Sequence, residues 1–350
     1  MNVTLQTADL ARELELLAKV VAAKPTIPVL ANILVQAEGN GLRLAATDLE
    51  LGLVTFCPAT VTAPGVTTLP AKHLLDVTKL LNGELTITLE QTSARLSAAK
   101  YKSRLQTYPA ADYPAMPGMK DLPTVALTGL QDALRRVRFA VSSKSKKYYM
   151  NGALLAFTET GFTLAATDGH RLAVARCASQ TWEHEPLIIP SKTLDKLLEI
   201  PGEILLAVGA RHSFFVIDGR MLFSRMVDGQ FPDYNRIIPT GTDRQVVFSR
   251  QDLYAALQRM VLTSEEVIMT LTTNALTITS KSAEIGDAIE HLDVQYEGPD
   301  VTLTLKGDYL LEFLSVATSP QITWVWKGAG AVMFVDSPDY CYVQMPMRNA

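Results

Sequence analysis

Cysteine is scarce in this chain of 350 residues, and the three present, Cys57, Cys177 and Cys341, are odd in number and far apart. Neither a disulfide framework nor a CxxC-type metal site is expected from them. The five histidines, His73, His170, His184, His212 and His291, never fall at HExxH or HxH spacing, so no metal or other cofactor is expected. No run approaches the roughly 18 uninterrupted apolar residues of a membrane span. The opening MNVTLQTADL lacks the basic and apolar regions of a secretory leader. A soluble, cytoplasmic protein is the expectation. Walker A, GxGxxG and GxSxG patterns are missing too, as is an acidic cluster able to hold two metals. Catalytic residues are therefore not expected.

What is present is apolar material, 48% of the residues, with 19% charged. That is enough for packed interiors, and the length fits two or three domains rather than one. One pentapeptide, LAATD, occurs twice, at Leu44 to Asp48 and at Leu164 to Asp168, 120 positions apart. Other features recur at the same offset. Leu10, Leu14, Leu17 and Val21 fall at helical spacing, and so do Leu130, Leu134, Val137 and Val141. Pro70 precedes a second helical pattern and Pro190 precedes its counterpart, carrying Lys72 onto Lys192. Near the end of each copy Asp112-Tyr113 answers to Asp233-Tyr234, at an offset of 121. The whole unit is repeated.

A third, more diverged copy is readable in RQDLYAALQRMVL, in the strand pair NALTITSKSAEIGDAIEHLDV and in LTLKGDYLLEFLSV. Three modules follow: 1–121, 122–243 and 244–350. Alternation such as Leu42, Leu44, Ala46 or Leu85, Ile87, Leu89 marks half-buried antiparallel strands. Two helices on antiparallel sheet in each module make the fold class α+β. In LAATD itself, the threonine and aspartate at the strand end are expected to fix a turn through side-chain to backbone hydrogen bonds.

Net charge is −4, distributed as 0, +2 and −6 over the three modules, counting Lys and Arg against Asp and Glu as 11 and 11, 14 and 12, and 7 and 13. The positive residues collect on helices. RRVRFAVSSKSKK holds Arg135, Arg136, Arg138, Lys144, Lys146 and Lys147 with no acid among them. Lys19, Lys24, Lys72 and Lys79 occupy comparable places in the first module, and Lys192 and Lys196 in the second. An acidic chain with basic helical faces can hold a polyanion through a few phosphate contacts and repel it elsewhere, which favours sequence-independent binding to duplex backbone.

The strings KPTIPVLANILVQAEGNGLRLAATDLELG, YYMNGALL, LAATDGHRLAV, VDGQFPDYNRIIP and YVQMPMR together resemble the bacterial DNA polymerase III beta subunits, the sliding clamps. The likeness runs the full length. It implies three repeated DNA-clamp domains forming half of a ring, closed by a second copy in a head-to-tail homodimer around duplex DNA. Twelve basic-faced helices would line the hole. Such a protein is a processivity factor in DNA replication, not an enzyme. It tethers the replicative polymerase and also receives the clamp loader and repair proteins through short linear peptides.

Carried onto this sequence, the resemblance implies DNA contact by Lys24, Lys72, Lys144 and Lys192, beside Arg138 and Lys147 of the basic run. It implies a hydrophobic peptide pocket made by Tyr149, Met150, Thr167, Gly169, His170, Arg171, Leu172, Pro232, Arg236 and Ile237, joined by Val343, Met345, Pro346, Met347 and Arg348 from the chain end. Two methionines flanking a proline four residues from the end make a poor tail unless they pack. Methionine also suits a surface that accommodates several partners. Leu105, Val261 and Leu262 are the implied apolar contacts of the dimer. The chain departs from the family in ending Arg348-Asn349-Ala350 and in having Met150 where leucine is common. A peptide-binding scaffold that keeps the fold without encircling DNA is the alternative reading.

Overall fold

The structure is a computed structural model, and it describes residues 1–21, 25–142, 145–240, 244–327 and 331–347. Among them are six α-helices: α1 Thr7–Ala18, α2 Ala71–Leu80, α3 Leu130–Val137, α4 Ser191–Glu199, α5 Arg250–Met260 and α6 Gly307–Val316. They come two to each repeat, and every strand ladder is antiparallel. α1 buries Leu10, Leu14 and Leu17, and α3 buries Leu130, Leu134 and Val137, so the periodicity shared by the repeats is the core-facing stripe. Both helices stop earlier than that periodicity suggests. α3 gives way at Arg138–Ala140 to a 3-10 turn, which leaves Val141 buried beyond the helix. No helix among the described residues is long and apolar enough to cross a membrane.

The chain packs as two compact units, one of residues 1–127 with 200–226, the other of 128–199 with 227–350. The second repeat is thus shared between them. In the first unit an eight-stranded sheet runs in the order Thr124–Ala126, Ile204–Val208, His212–Ile217, Arg220–Arg225, Leu51–Pro58, Gly41–Thr47, Asn32–Glu38, Gly65–Pro70. Its seam joins two repeats, with Leu222 opposite Leu53 and Phe223 opposite Gly52. Gly52 is required there, because a Cβ would be driven into the Phe223 ring. A five-stranded sheet in the same unit ends on Tyr101–Gln106.

The second unit repeats this plan. Its eight-stranded sheet orders Leu187–Pro190, Gly152–Thr158, Gly161–Thr167, Arg171–Ala178, Tyr340–Gln344, Val332–Ser337, Gln321–Trp326, Arg244–Ser249. The seam sets Leu172 opposite Val343 and Val174 opposite Cys341. Under it, Phe313 of α6 stacks on Tyr342 at 4.9 Å between ring centroids. A four-stranded sheet ends on Gly286–Asp293.

Candidate functional site

The repeated LAATD builds the same turn twice. Thr167 donates its hydroxyl to the Arg171 carbonyl at 2.6 Å and accepts from the Gly169 N–H at 3.1 Å. Asp168 Oδ1 accepts from the N–H groups of His170 and Arg171 at 2.9 and 3.1 Å. In the first repeat Thr47 donates to the Leu51 carbonyl at 2.9 Å, and Asp48 accepts from Glu50 and Leu51 at 3.0 and 2.8 Å. The two turns differ in what they carry. Leu49 holds a positive φ of 78° in the first, and Gly169 takes φ 94° in the second. A Cβ on Gly169 would meet Met150 Cε at 3.3 Å, so the glycine relieves backbone strain and keeps the surface above Met150 open.

Arg171 replaces the apolar Leu51 of the first turn, and its side chain is only 8% exposed. Its guanidinium bonds to Asp168 at 3.0 Å, to the Phe139 carbonyl at 2.6 Å and to the Glu312 carboxylate. It lies over the rings of Tyr309 and Phe139, 4.0 and 5.2 Å from their centroids. Burial alone would lower its pKa, but the hydrogen bond and charge of Glu312 outweigh it and hold the group above its ordinary value. Its charge is satisfied internally, so Arg171 acts as a fixed wall under the turn.

The chain end is fastened to the same turn. Met345 donates its N–H to the His170 carbonyl at 2.9 Å, and Met347 donates to the Thr304 carbonyl at 2.8 Å. Gln344 Nε2 reaches the Lys306 carbonyl at 3.0 Å. Between turn, tail and the segment after Arg236 lies a groove of about 590 Å³, a size suited to a small or peptide ligand. Of the expected pocket residues, Thr167, Gly169, His170, Arg171, Leu172, Arg236, Ile237, Val343 and Met345 line it. Tyr149 packs behind it against the cluster of Leu172, Val174 and Val343, and Met150 is buried. Pro232, Pro346 and Met347 are outside its lining, and Arg348 lies outside the described residues. Sequence reasoning missed Ile238, Pro239, Thr240, Lys327 and Ala331. The apolar run Ile237-Ile238-Pro239 was a signal for the first two of these; Lys327 carried none.

Two lysines of the helices are ion-paired, Lys79 with Glu15 at 2.7 Å and Lys196 with Glu199 at 3.1 Å. Lys72 in the first turn of α2, Lys192 in that of α4 and Lys147 beside the 3-10 turn Tyr148–Met150 are exposed. The arginines are engaged. Arg138 holds Asp195 through two bonds of 2.6 and 3.0 Å, Arg135 pairs with Asp132 at 2.7 Å, and Arg136 lies 5.5 Å over the Tyr340 ring. Lys24 and Lys144 fall outside the described residues. Leu105 is 6% exposed on the strand Tyr101–Gln106; Val261 closes α5 half-buried, and Leu262 after it is 77% exposed. Among the described residues no group of three or more His, Cys, Asp or Glu is arranged to hold a metal.

Three clamp domains of mixed helix and antiparallel sheet define the class as that of DNA clamps. Family models for the DNA polymerase III beta subunit match the chain in succession, the N-terminal domain over residues 1–117, the central domain over 124–233 and the C-terminal domain over 235–348. The chain belongs to this family, and its function is that of a DNA sliding clamp in replication. It is 33% identical to the beta sliding clamp of Pseudomonas aeruginosa, over 99% of this chain and 100% of that protein. It is 29% identical to that of Vibrio cholerae, over 99% and 100%. A crystal structure of the P. aeruginosa clamp with ligand superposes with a TM-score of 0.94 at 32% identity, covering all of both chains. Another, bound to griselimycin, gives 0.93 at 32% identity, again over all of both chains.

Proposed function

We propose that two copies of this chain pair head to tail into a ring around duplex DNA, and that the groove at His170 captures short linear peptides from the polymerase, the clamp loader and repair proteins. The reading includes module boundaries at 121/122 and 243/244, action in the cytoplasm and no catalytic step. The observation that carries it is the groove itself, one side of which is formed by Met345, on a segment held in place by backbone hydrogen bonds from Met345 and Met347. A segment tied down beside a cavity keeps apolar side chains available at the surface, with Met345 46% exposed. Tethering a polymerase to a ring on DNA raises its effective concentration at the primer end without any new catalytic group.

Dimerisation assigns Leu262, with Leu105 and Val261, to a heterologous contact made twice, which closes the ring. DNA binding assigns Lys72, Lys192 and Lys147, together with Lys24, Lys144 and Arg138, to the phosphate backbone. The test is retention on closed circular DNA and release once the circle is cut, with a solution mass twice the 38.2 kDa of one chain. Peptide capture by a stable monomer that is not retained on circles would leave only the scaffold reading.

A further inference from the structure

A second cavity in the same compact unit has chemistry unlike that of the groove. Phe157, one residue from the end of the strand Gly152–Thr158, meets Trp182 edge to face, 5.2 Å between centroids at 79°. His184 lies against Trp182 at 4.8 Å and 31°. The His184 ring is oriented by its Nδ1, which donates to the Glu185 carbonyl at 2.6 Å. These rings, with Glu159 and Glu183, bound a cavity of about 440 Å³ whose lining, among the described residues, includes two carboxylates and no lysine or arginine. The connecting segment SQTWEHEP, from Ser179 to Pro186, contains two acids and no lysine or arginine.

The charged residues lining the groove at His170 are Arg171, Arg236 and Lys327, whereas those lining this cavity are Glu159 and Glu183. They also lie at opposite ends of the strand Arg171–Ala178, since Phe157 aligns through Phe162 with Cys177 while the groove holds Leu172. Each can therefore be tested with the other disabled. A tryptophan in a surface connection has apolar faces that water solvates poorly. Placed beside two carboxylates, such faces attract a cation through the ring quadrupole as well as through charge.

The geometry points to a binding site for the arginine side chain of a linear peptide from a protein partner, the guanidinium lying on the Trp182 and His184 rings and pairing with Glu159 and Glu183. Arginine fits better than lysine because its planar head stacks on an aromatic face and forks onto carboxylates. This assignment does not depend on ring closure or on the groove at His170.

The protein supplies its own reporter. Trp324 and Trp326 are 0% and 1% exposed, so an emission change on adding a small polar probe arises at Trp182. The full chain is titrated with a blocked glycyl-arginyl-glycine peptide and with the same peptide carrying citrulline, an uncharged isostere. The arginine peptide is expected to give a saturable shift, and citrulline to bind about tenfold more weakly. The double variant E159Q/E183Q should weaken the arginine peptide to a similar degree at an unchanged melting temperature, and H170A should leave it unaffected. Calorimetry on W182L, which no longer depends on emission, should lose the heat of binding. Equal affinity for arginine and citrulline, or full affinity in E159Q/E183Q, overturns the assignment. So does saturable binding of spermidine where the arginine peptide gives none, which would mark a site for free polyamines.

Discussion

Arg220 and Glu13, 207 residues apart in sequence, face each other through two hydrogen bonds, Nη2 to Oε1 at 2.6 Å and Nε to Oε2 at 2.9 Å. Glu13 lies on the buried side of α1 with Leu10, Leu14 and Leu17, and Thr55 donates its hydroxyl to the same carboxylate. One pair thus fastens the first helix of repeat one to a strand of repeat two within a single compact unit. Removing Arg220 leaves the buried Glu13 carboxylate with Thr55 and the more exposed Arg12, 3.3 Å away, at a cost approaching about 3–5 kcal/mol. R220M is expected to reduce stability on that scale in urea denaturation. The double variant E13M/R220M should recover most of it, because the desolvated charge goes with its partner.

The same pair has a pH signature. Burial by itself would raise the Glu13 pKa, but hydrogen bonds from Arg220 and Thr55 and the Arg220 charge outweigh it, leaving the carboxyl below its ordinary value. A carboxylate depressed in the folded state contributes its full stability above the unfolded pKa, about 4.3. That contribution disappears as pH falls through the folded value. Urea midpoints measured from neutrality downward should fall below about pH 4 in the parent and fall less steeply in E13Q. Parallel slopes in the two proteins would show that other carboxylates carry the acid transition.

Arg171 and Met345 both line the groove, yet they should fail in different ways. Arg171 is enclosed by Asp168, Glu312 and the rings of Phe139 and Tyr309. R171M should lower the melting temperature by several degrees and reduce peptide affinity mainly as a consequence. Truncation after Gln344 removes the exposed Met345 and two terminal backbone bonds. It should abolish peptide capture with little change in melting, as fluorescence anisotropy and differential scanning calorimetry on the same samples would show.

Leu262 and Leu105 separate association from folding. Leu262 is exposed in the single chain, so L262K should halve the mass seen by sedimentation and leave the urea midpoint of the monomer unaltered. Leu105 is already buried, so L105A should cost about 2–5 kcal/mol of stability as well. A dimer that survives L262K would remove this leucine from the contact.

Much of this was legible because duplication leaves a period, and a period is visible in letters. Leu10 and Leu130, Pro70 and Pro190, Thr47 and Thr167 each take matching places in helix, strand end or turn. The bonds that cross repeats were not legible. Nothing local marks Arg220 as the partner of Glu13, or Arg171 as that of Glu312, since such pairs depend on which strands lie side by side at a seam. For the same reason the second repeat reads as one continuous segment but distributes its strands over two compact units. The arginines of RRVRFAVSSKSKK illustrate the limit on charge reading. Residue type gives the sign, but only geometry shows that Asp195 and Asp132 already hold Arg138 and Arg135.

That distinction sets the expectation for DNA. Removing one phosphate interaction reduces the slope of log affinity against log salt by about 0.9 for duplex. Lys72 is exposed at the start of α2, where its long side chain can reach a phosphate. Arg138 already has a carboxylate fork on its guanidinium, and a phosphate there would have to compete with Asp195. K72Q is therefore expected to reduce the salt slope measurably and to weaken binding alike on unrelated sequences, while R138Q changes the slope less. The measurement is binding of the clamp to duplexes of several sequences over a salt series. Weakening that depends on sequence, or a slope more sensitive to R138Q than to K72Q, would reverse the assignment between the exposed lysine and the carboxylate-paired arginine.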